Sequence, residues 1–578
     1  MNNLSFENDA ILLEETVRGY DRFLKYFSII GAGAFLLLWY LLFLPPISFA
    51  YADGALFLTL SLIIISTLIA GFKKGAKLAV EILLFVSGLA FSCAIVYSTI
   101  YGWDFWRSSD LQKQIGQIQE MKFDKHILPI AKGKLPLVDK EYAKILGDKR
   151  LGEDPGLGSQ VVAGKYTLQN VAGELVWIAP LEYKDFWRWL FNNGTPGYLR
   201  VSANDSRDVK LVQEINGEKI SLQYLKTAYF TKYIEFRARI SNLTDGLEEY
   251  NFEVDDSGRP YWVVSTYENY AAWQNPDATG VVVIDAQTGK SKTYSVEDAP
   301  KWIDTIQPIS FVMNQIENWG EYINGYFNPS NEGKLAPSEG YTEVYNTIHS
   351  KEGNNYYYTG ITSKGKDGST TGILLVNKRT KEVIKYNFAG ATEEAARASA
   401  MGQVQEKRYN ASFPVPTVVH GVPAYFMLLK DDAGLVKLYA LVSVQDHQFV
   451  GIGETLEAVE RNFVRSLTTN TNAVNFVSKV EASEKQGNIC RISANVEGGA
   501  SFYYFTLEEN PEVIYKASSQ ISFELVLSRT GDSVELKHLA PNDGFADVVE
   551  YRNLQFNLKK SDETQKLEES NKENKRIR

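Results

Sequence analysis

The hydrophobic pattern divides the chain sharply. Three long apolar runs occupy residues 27–101, and a mostly soluble pattern of strands, turns and short helices follows. The first run, residues 27–44, reads FSIIGAGAFLLLWYLLFL and is stopped by Pro45-Pro46. The second, residues 55–71, is ALFLTLSLIIISTLIAG, again without a charge. The third runs from Leu78 to about Tyr101, with Glu81 as its one ionisable residue. Each approaches the ~20 apolar residues a helix needs to cross a bilayer. Glu81 lies one turn from a boundary, where it is expected to reach the headgroups.

Charge sets the expected orientation. Arg18, Arg22 and Lys25 precede the first run, and Lys73, Lys74 and Lys77 fill the turn between the second and third. The loop between the first two, residues 45–54, has no basic residue and carries Asp53. Basic flanks stay in the cytoplasm, so the N-terminus is expected inside and the residues after Tyr101 outside. Residues 50–52, AYA, have the look of a cleavage site, but the apolar run exceeds a usual signal peptide. Either reading leaves the large domain outside. The small residues GAGA at 31–34 allow close helix approach, so a homo-oligomer stays open.

In the soluble part a fifteen-residue pattern occurs twice. Residues 280–294 read GVVVIDAQTGKSKTY and residues 372–386 read GILLVNKRTKEVIKY. Both predict a hairpin: an apolar strand, a turn opened by Asp285 or Asn377, and a more polar return strand. Asp and Asn suit that position because their side chains bond the backbone two residues on. A degraded third copy is residues 439–450, YALVSVQDHQFV, with its turn at 445–448. A helical pattern follows each copy. The first spans residues 299–319, with a break at Pro308. The second spans 392–404, and the third 455–467 with Thr455 as N-cap. Upstream, Asn216-Gly217 predicts a tight hairpin turn, and Leu111, Ile115 and Ile118 predict a helix over 109–121.

An Ala-rich helix, then strands, then an apolar strand ending in an Asp-x-x-Thr-Gly turn resembles PepSY-type modules. The pieces are residues 392–404, the strand near 424–430, and the turns at 284–289 and 376–380. The second turn departs from that pattern, with Asn377 for Asp and Lys381 for Gly. The resemblance covers about residues 200–467. It implies extracytoplasmic modules that bind or restrain other proteins rather than catalyse. The whole chain also resembles large membrane-anchored bacterial and phage proteins, which supplies no mechanism.

Residues 474–557 are strand-rich with Gly, Asn and Asp turns and predict a small barrel, OB-like or SH3-like. The predicted class is α+β. A cytoplasmic segment (1–26) leads into three transmembrane helices (27–101) and a connector (102–165). Repeated antiparallel-sheet-plus-helix modules (166–470), the barrel (471–558) and a disordered tail (559–578) follow.

Composition narrows function by exclusion. The formal net charge of −10 argues against nucleic-acid binding. Two cysteines, one in the third apolar run, leave the domain to be held by its core. The five histidines are scattered, and none of the sequence signatures of metalloproteases, nucleotide-binding loops or nucleophile elbows occurs. No catalytic residue, cofactor or metal site is expected. The candidate interaction surface is aromatic: Trp177, Trp187, Trp189, Tyr356, Tyr357 and Tyr358. Its alternatives are core packing and contact with the membrane face. The expected partners are the lipid bilayer and an envelope protein. The leading expectation is a non-enzymatic, membrane-anchored extracytoplasmic scaffold or regulator. An extracytoplasmic hydrolase of wall or peptide substrates, or an accessory subunit of a transport or secretion complex, are the alternatives.

Overall fold

The computed structural model describes residues 2–72, 77–122, 135–338, 347–349, 353–364, 369–419, 422–468, 483–497, 500–519, 521–538 and 544–556. Two compact units are present. One comprises residues 1–394 with 433–435, the other residues 395–432 with 436–578. The tail at 559–578, His126 and His420 lie outside the described residues.

The apolar runs form helices Asn2–Phe43, Ala52–Phe72 and Lys77–Tyr101, long and apolar enough to cross a membrane. Large side chains such as Phe35, Leu42, Leu62 and Phe85 are exposed around them, as lipid-facing surface should be. Hydroxyls along the spans turn back onto the preceding turn. Ser61 donates to Phe57 O, Ser87 to Leu83 O and Thr99 to Ile95 O. With no water in the hydrocarbon, those donors must be satisfied internally. Trp39 and Tyr40 pack on Phe57 and join the first two helices.

In the first unit two sheets make a sandwich. One has the order Val161–Ala163, Glu174–Tyr183, Tyr198–Ser202, Val209–Val212, with Thr167–Val171 also on Glu174–Tyr183. The other is a meander of Gly246–Val254, Pro260–Ala271, Gln274–Asp285 and Ser291–Ser295. The apolar run at 281–284 is explained by burial of both its faces. Val282 and Ile284 enter a core with Trp262, Phe252 and Ile178. Val281 and Val283 enter another with Ile303 and Ile306. A third sheet orders Ile118–Lys122, Val383–Ala391, Ser369–Asn377, Asn355–Ser363 and Leu335–Pro337.

Both hairpin repeats form as predicted. Asp285 Oδ1 accepts from the backbone N–H of Gln287 and Thr288 at 2.9 and 2.8 Å. Asn377 Oδ1 accepts from Arg379 and Thr380 at 2.9 and 3.0 Å. The third copy pairs Val442 with Val450 across its turn. Asn216-Gly217 takes two positive φ angles between Glu214–Ile215 and Glu218–Lys219, the geometry of a primed hairpin turn.

Two helix expectations are corrected. The helix expected over 109–121 is instead Asp104–Lys113. Gly116, at φ +97°, ends the helical path, and Ile118–Lys122 becomes an edge strand pairing in parallel with Val383–Ala391. The helix expected over 299–319 begins only at Ile309, after Pro308. Proline lacks an N–H and favours the start of a helix over its interior. Residues 299–308 pack irregularly on the meander through Ile303 and Ile306, and the helix Ile309–Glu321 covers the third sheet through Val312, Met313 and Ile316. The expected connector is likewise structured in part. Lys140–Gly152 is a helix capped by Asp139, packing through Ala143 and Leu151.

The second unit holds a five-stranded sheet in which Val422–Lys430 is central and buried along its whole length. The helix Leu456–Thr468 packs on Val450–Gly453 so closely that a Cβ at Gly451 would strike Phe463. Thr455 Oγ1 accepts from Ala458 N at 3.2 Å, the predicted cap. A closed barrel of five strands completes the unit, around Phe505, Tyr515, Val534 and Leu536.

Candidate functional site

The sequence singled out six aromatic residues as one interaction surface, and the structure separates them. Trp177 is buried and donates from its indole Nε1 to Val138 O at 2.8 Å. Tyr356, Tyr357 and Tyr358 are all buried. They occupy a central strand whose faces are both covered, so alternating side chains still all point inward. Tyr357 packs under the helix Ile309–Glu321 and donates from its hydroxyl to Gln307 O at 3.0 Å. These four are core, a correction to the surface reading.

Trp187 lies on a surface ridge, with the half-buried Trp189 beneath it packed against the sandwich core. Their helix, Phe186–Phe191, is capped by Asp185, whose Oδ1 accepts from Arg188 N at 3.0 Å. Arg188 also donates to Ser159 O, tying the helix to the turn that precedes Val161–Ala163. Trp187 is 61% exposed and stacks on Phe191, which is 79% exposed. Trp189 packs on Tyr229 and on Phe230, and Phe230 is 75% exposed at φ +54°. A bulky residue in the left-handed region is strained, and such strain clusters at functional positions. Sequence reasoning did not select Phe230. Its one signal is adjacency to Tyr229, with no periodicity to mark it.

A second feature sits where the first span meets the domain. Arg239 donates from Nε to Leu44 O at 3.0 Å and from Nη1 to Asn242 O and Asp245 O. Ile47 N donates to Leu243 O at 2.7 Å, and Trp273 Nε1 to Phe49 O at 3.0 Å. Beside the Arg239–Leu44 bond lies an open cavity of about 540 Å³, between Phe43, Leu44 and Asp53 on one side and residues including Lys226, Glu235, Arg239 and Glu249 on the other.

Glu249 joins this cavity to the interior. It is the extra residue of a β-bulge, skipped in the pairing of Gly246–Val254 with Pro260–Ala271, and it takes φ +48°. Bulges re-aim side chains, and here the carboxylate turns onto the helix start, accepting from Ile309 N at 3.2 Å. A small cavity of about 40 Å³ shares Lys165, Glu249 and Ile309 with the larger one and reaches Thr305, Tyr357 and Lys378.

Beyond it lies a buried charge cluster. Glu253 has no exposed surface and accepts from Asp304 N at 3.0 Å. Asp304 accepts from Asn170 N at 2.5 Å. Burial raises both carboxyls, Glu253 to about 8 with the Asp304 charge adding to the rise, and Asp304 to about 7. Burial pushes Lys378 down from the usual lysine range. Acids with such values hold or release a proton near neutrality. Among the described residues, no group of three or more His, Cys, Asp or Glu is placed to hold a metal ion.

No protein-family model matches the chain, and no curated protein matches it. Among solved structures, a sialidase from Trypanosoma rangeli is 12% identical at a TM-score of 0.17, with 68% of this chain and 55% of that one covered. A levansucrase from B. megaterium is 9% identical at a TM-score of 0.17, with 77% and 94% covered. This chain thus spans little more than half the length of the sialidase. Similarity at this level carries no argument about fold or activity.

Proposed function

We propose that this chain is a membrane-anchored scaffold or regulator whose large α+β domain lies on the extracytoplasmic side and engages an envelope protein. The observation that carries this reading is the uncovered ridge of Trp187, Phe191 and Phe230. Interface anchors are drawn disproportionately from large aromatic residues. The ridge is braced by Asp185 and Arg188 and needs little ordering on contact. The resemblance of the hairpin modules to PepSY-type repeats points the same way, toward binding rather than catalysis. The basic flanks of the spans support the outside placement.

Two measurements test this. A photo-crosslinking residue at Trp187, in native membranes, is expected to capture a discrete protein partner, and Phe230→Ala to reduce that capture. Crosslinks only to lipid, or a pattern insensitive to Phe230, would remove the case for a protein-binding ridge. Separately, Arg207→Cys on an exposed loop, with Cys93 and Cys490 replaced, is expected to react with an impermeant thiol reagent on intact spheroplasts. Reaction only after lysis would place the domain in the cytoplasm.

A further inference from the structure

The cavity beneath the first span combines three properties that ordinary surface clefts do not share. It lies at the end of a membrane helix, it carries both signs of charge, and one of its cations is buried against backbone carbonyls, with Asp53 acting on it without a direct ion pair. Phe43 and Leu44 close one wall, and Asp53 stands in the first turn of the second span. Those residues mark the boundary between hydrocarbon and water, so the cavity stands at headgroup depth. Phe43 is 71% exposed beside it, leaving an apolar approach from the lipid side.

Arg239 is only 6% exposed. Its side-chain hydrogen bonds run to the carbonyls of Leu44, Asn242 and Asp245, and it makes no ion pair with a carboxylate among the described residues. Carbonyls hold the guanidinium in place but do not neutralise it. A buried charge left in that state is costly, and an anion entering the cavity would offset the cost. With Nε and Nη1 already bonded to carbonyls, Nη2 is the end of the guanidinium left to donate to a phosphate oxygen, a charge-assisted bond. Lys165 and Lys226 line the same cavity.

A bare anion is nevertheless a poor fit, because Asp53, Glu235, Glu248 and Glu249 also face the cavity. A ligand carrying a phosphate and an ammonium a few bonds apart satisfies both sets. The volume of about 540 Å³ suits a small headgroup, since ligand pockets run ~300–1,000 Å³. From these observations we infer that the cavity binds the headgroup of an aminophospholipid, phosphate toward Arg239 and ammonium toward Glu235 and Glu249, with the acyl chains beside Phe43 and Leu44. The inference rests on the anchoring of the chain and not on the aromatic ridge, so either can fail alone.

The test uses the full chain in nanodiscs containing equal parts phosphatidylethanolamine, phosphatidylglycerol and phosphatidylcholine. The protein is then extracted in mild detergent and its retained lipid counted by native mass spectrometry. Wild type is expected to retain phosphatidylethanolamine over both others by about fivefold, the ratio for ~1 kcal/mol of charge-assisted bonding. Glu235→Gln, which leaves the Arg239 bonds untouched, is expected to shift retention toward phosphatidylglycerol. Arg239→Gln is expected to abolish selectivity. Where that variant does not fold, Lys226→Gln replaces it, with a smaller loss expected. Equal retention of the three lipids by wild type would overturn the inference. So would a preference unchanged in Glu235→Gln. Displacement of the lipid by millimolar inorganic phosphate would do the same, by assigning the site to a free anion.

Discussion

The two hairpin copies share a pattern, a turn geometry and a glycine, yet they live under different constraints. Gly280 and Gly372 each lie so close to the return strand that a Cβ would strike the carbonyl of Tyr294 or Tyr386. Gly289 and Lys381 each take the left-handed conformation, at φ +70° and +62°. At Gly289 a Cβ would run into the Tyr224 ring. At Lys381 the space is open enough for a side chain, which reaches Asp277 at 2.6 Å and Gln114 O at 3.1 Å. The first turn presents a carboxylate to Arg259, with Asp285 and Arg259 2.6 Å apart. The second turns a neutral amide, and its next two residues, Lys378 and Arg379, run inward. Arg379 donates to Pro300 O and Ile303 O at 2.6 and 2.8 Å, and Lys378 sits beside the buried acids. A shared local motif therefore fixes the backbone, and the surroundings decide which side chains it tolerates.

Exchange between the copies exposes that difference. The largest effect is expected from Gly289→Lys, which adds left-handed strain to a clash with Tyr224 and should cost ~3 kcal/mol or more. Thermal unfolding in detergent, followed by tryptophan emission, measures it; an unchanged midpoint would mean that Tyr224 moves aside freely. Next, Asp285→Ala removes the acceptor of two backbone N–H groups and the partner of Arg259, and should cost ~2 kcal/mol. Asn377→Ala should cost less, ~1 kcal/mol, since no ion pair is lost with it.

A pH series probes the acids that surround Lys378 of the second copy. Glu253 and Asp304 have raised values in the folded state. The native protein holds protons that the unfolded chain gives up, so this stabilisation is full below the ordinary carboxylate range and is lost as pH rises through about 7 to 8. Stability should fall from the ordinary carboxylate range, ~4, up to about 8 and level off above it, and Glu253→Gln should flatten the fall. A wild-type profile that rises over the same window would contradict the assignment. Smallest of all, Lys381→Gly is expected to change stability by less than ~0.5 kcal/mol, because relief of strain and loss of the Asp277 pair nearly cancel.

Legibility in the sequence followed the range of the interaction. The spans, the hairpin turns and the Thr455 cap depend on a few adjacent residues and could be read directly. The barrel was legible as a succession of short strands. The Glu249 bulge was not, because its cause lies in the register between two neighbouring strands, Tyr250 opposite Val264 and Glu248 opposite Ser265, rather than in adjacent residues. Aromatic runs misled for a related reason. Tyr356 to Tyr358 and Phe186 to Phe191 look alike as composition, but one stretch is a central strand and the other an edge helix. Ile118 fits a helical spacing equally well, and only the distant strand Val383–Ala391 converts it to a sheet edge.

That last pairing has a consequence for biosynthesis. The strand Ile118–Lys122 leaves the ribosome soon after the third span, but its partner begins at Val383. At ~5–20 residues per second, its hydrogen-bonding edge waits on the order of tens of seconds for a match. During that interval an open strand close to the membrane is a target for wrong pairing. The nascent domain therefore has a defined window in which that edge stands open to wrong pairing unless a chaperone covers it.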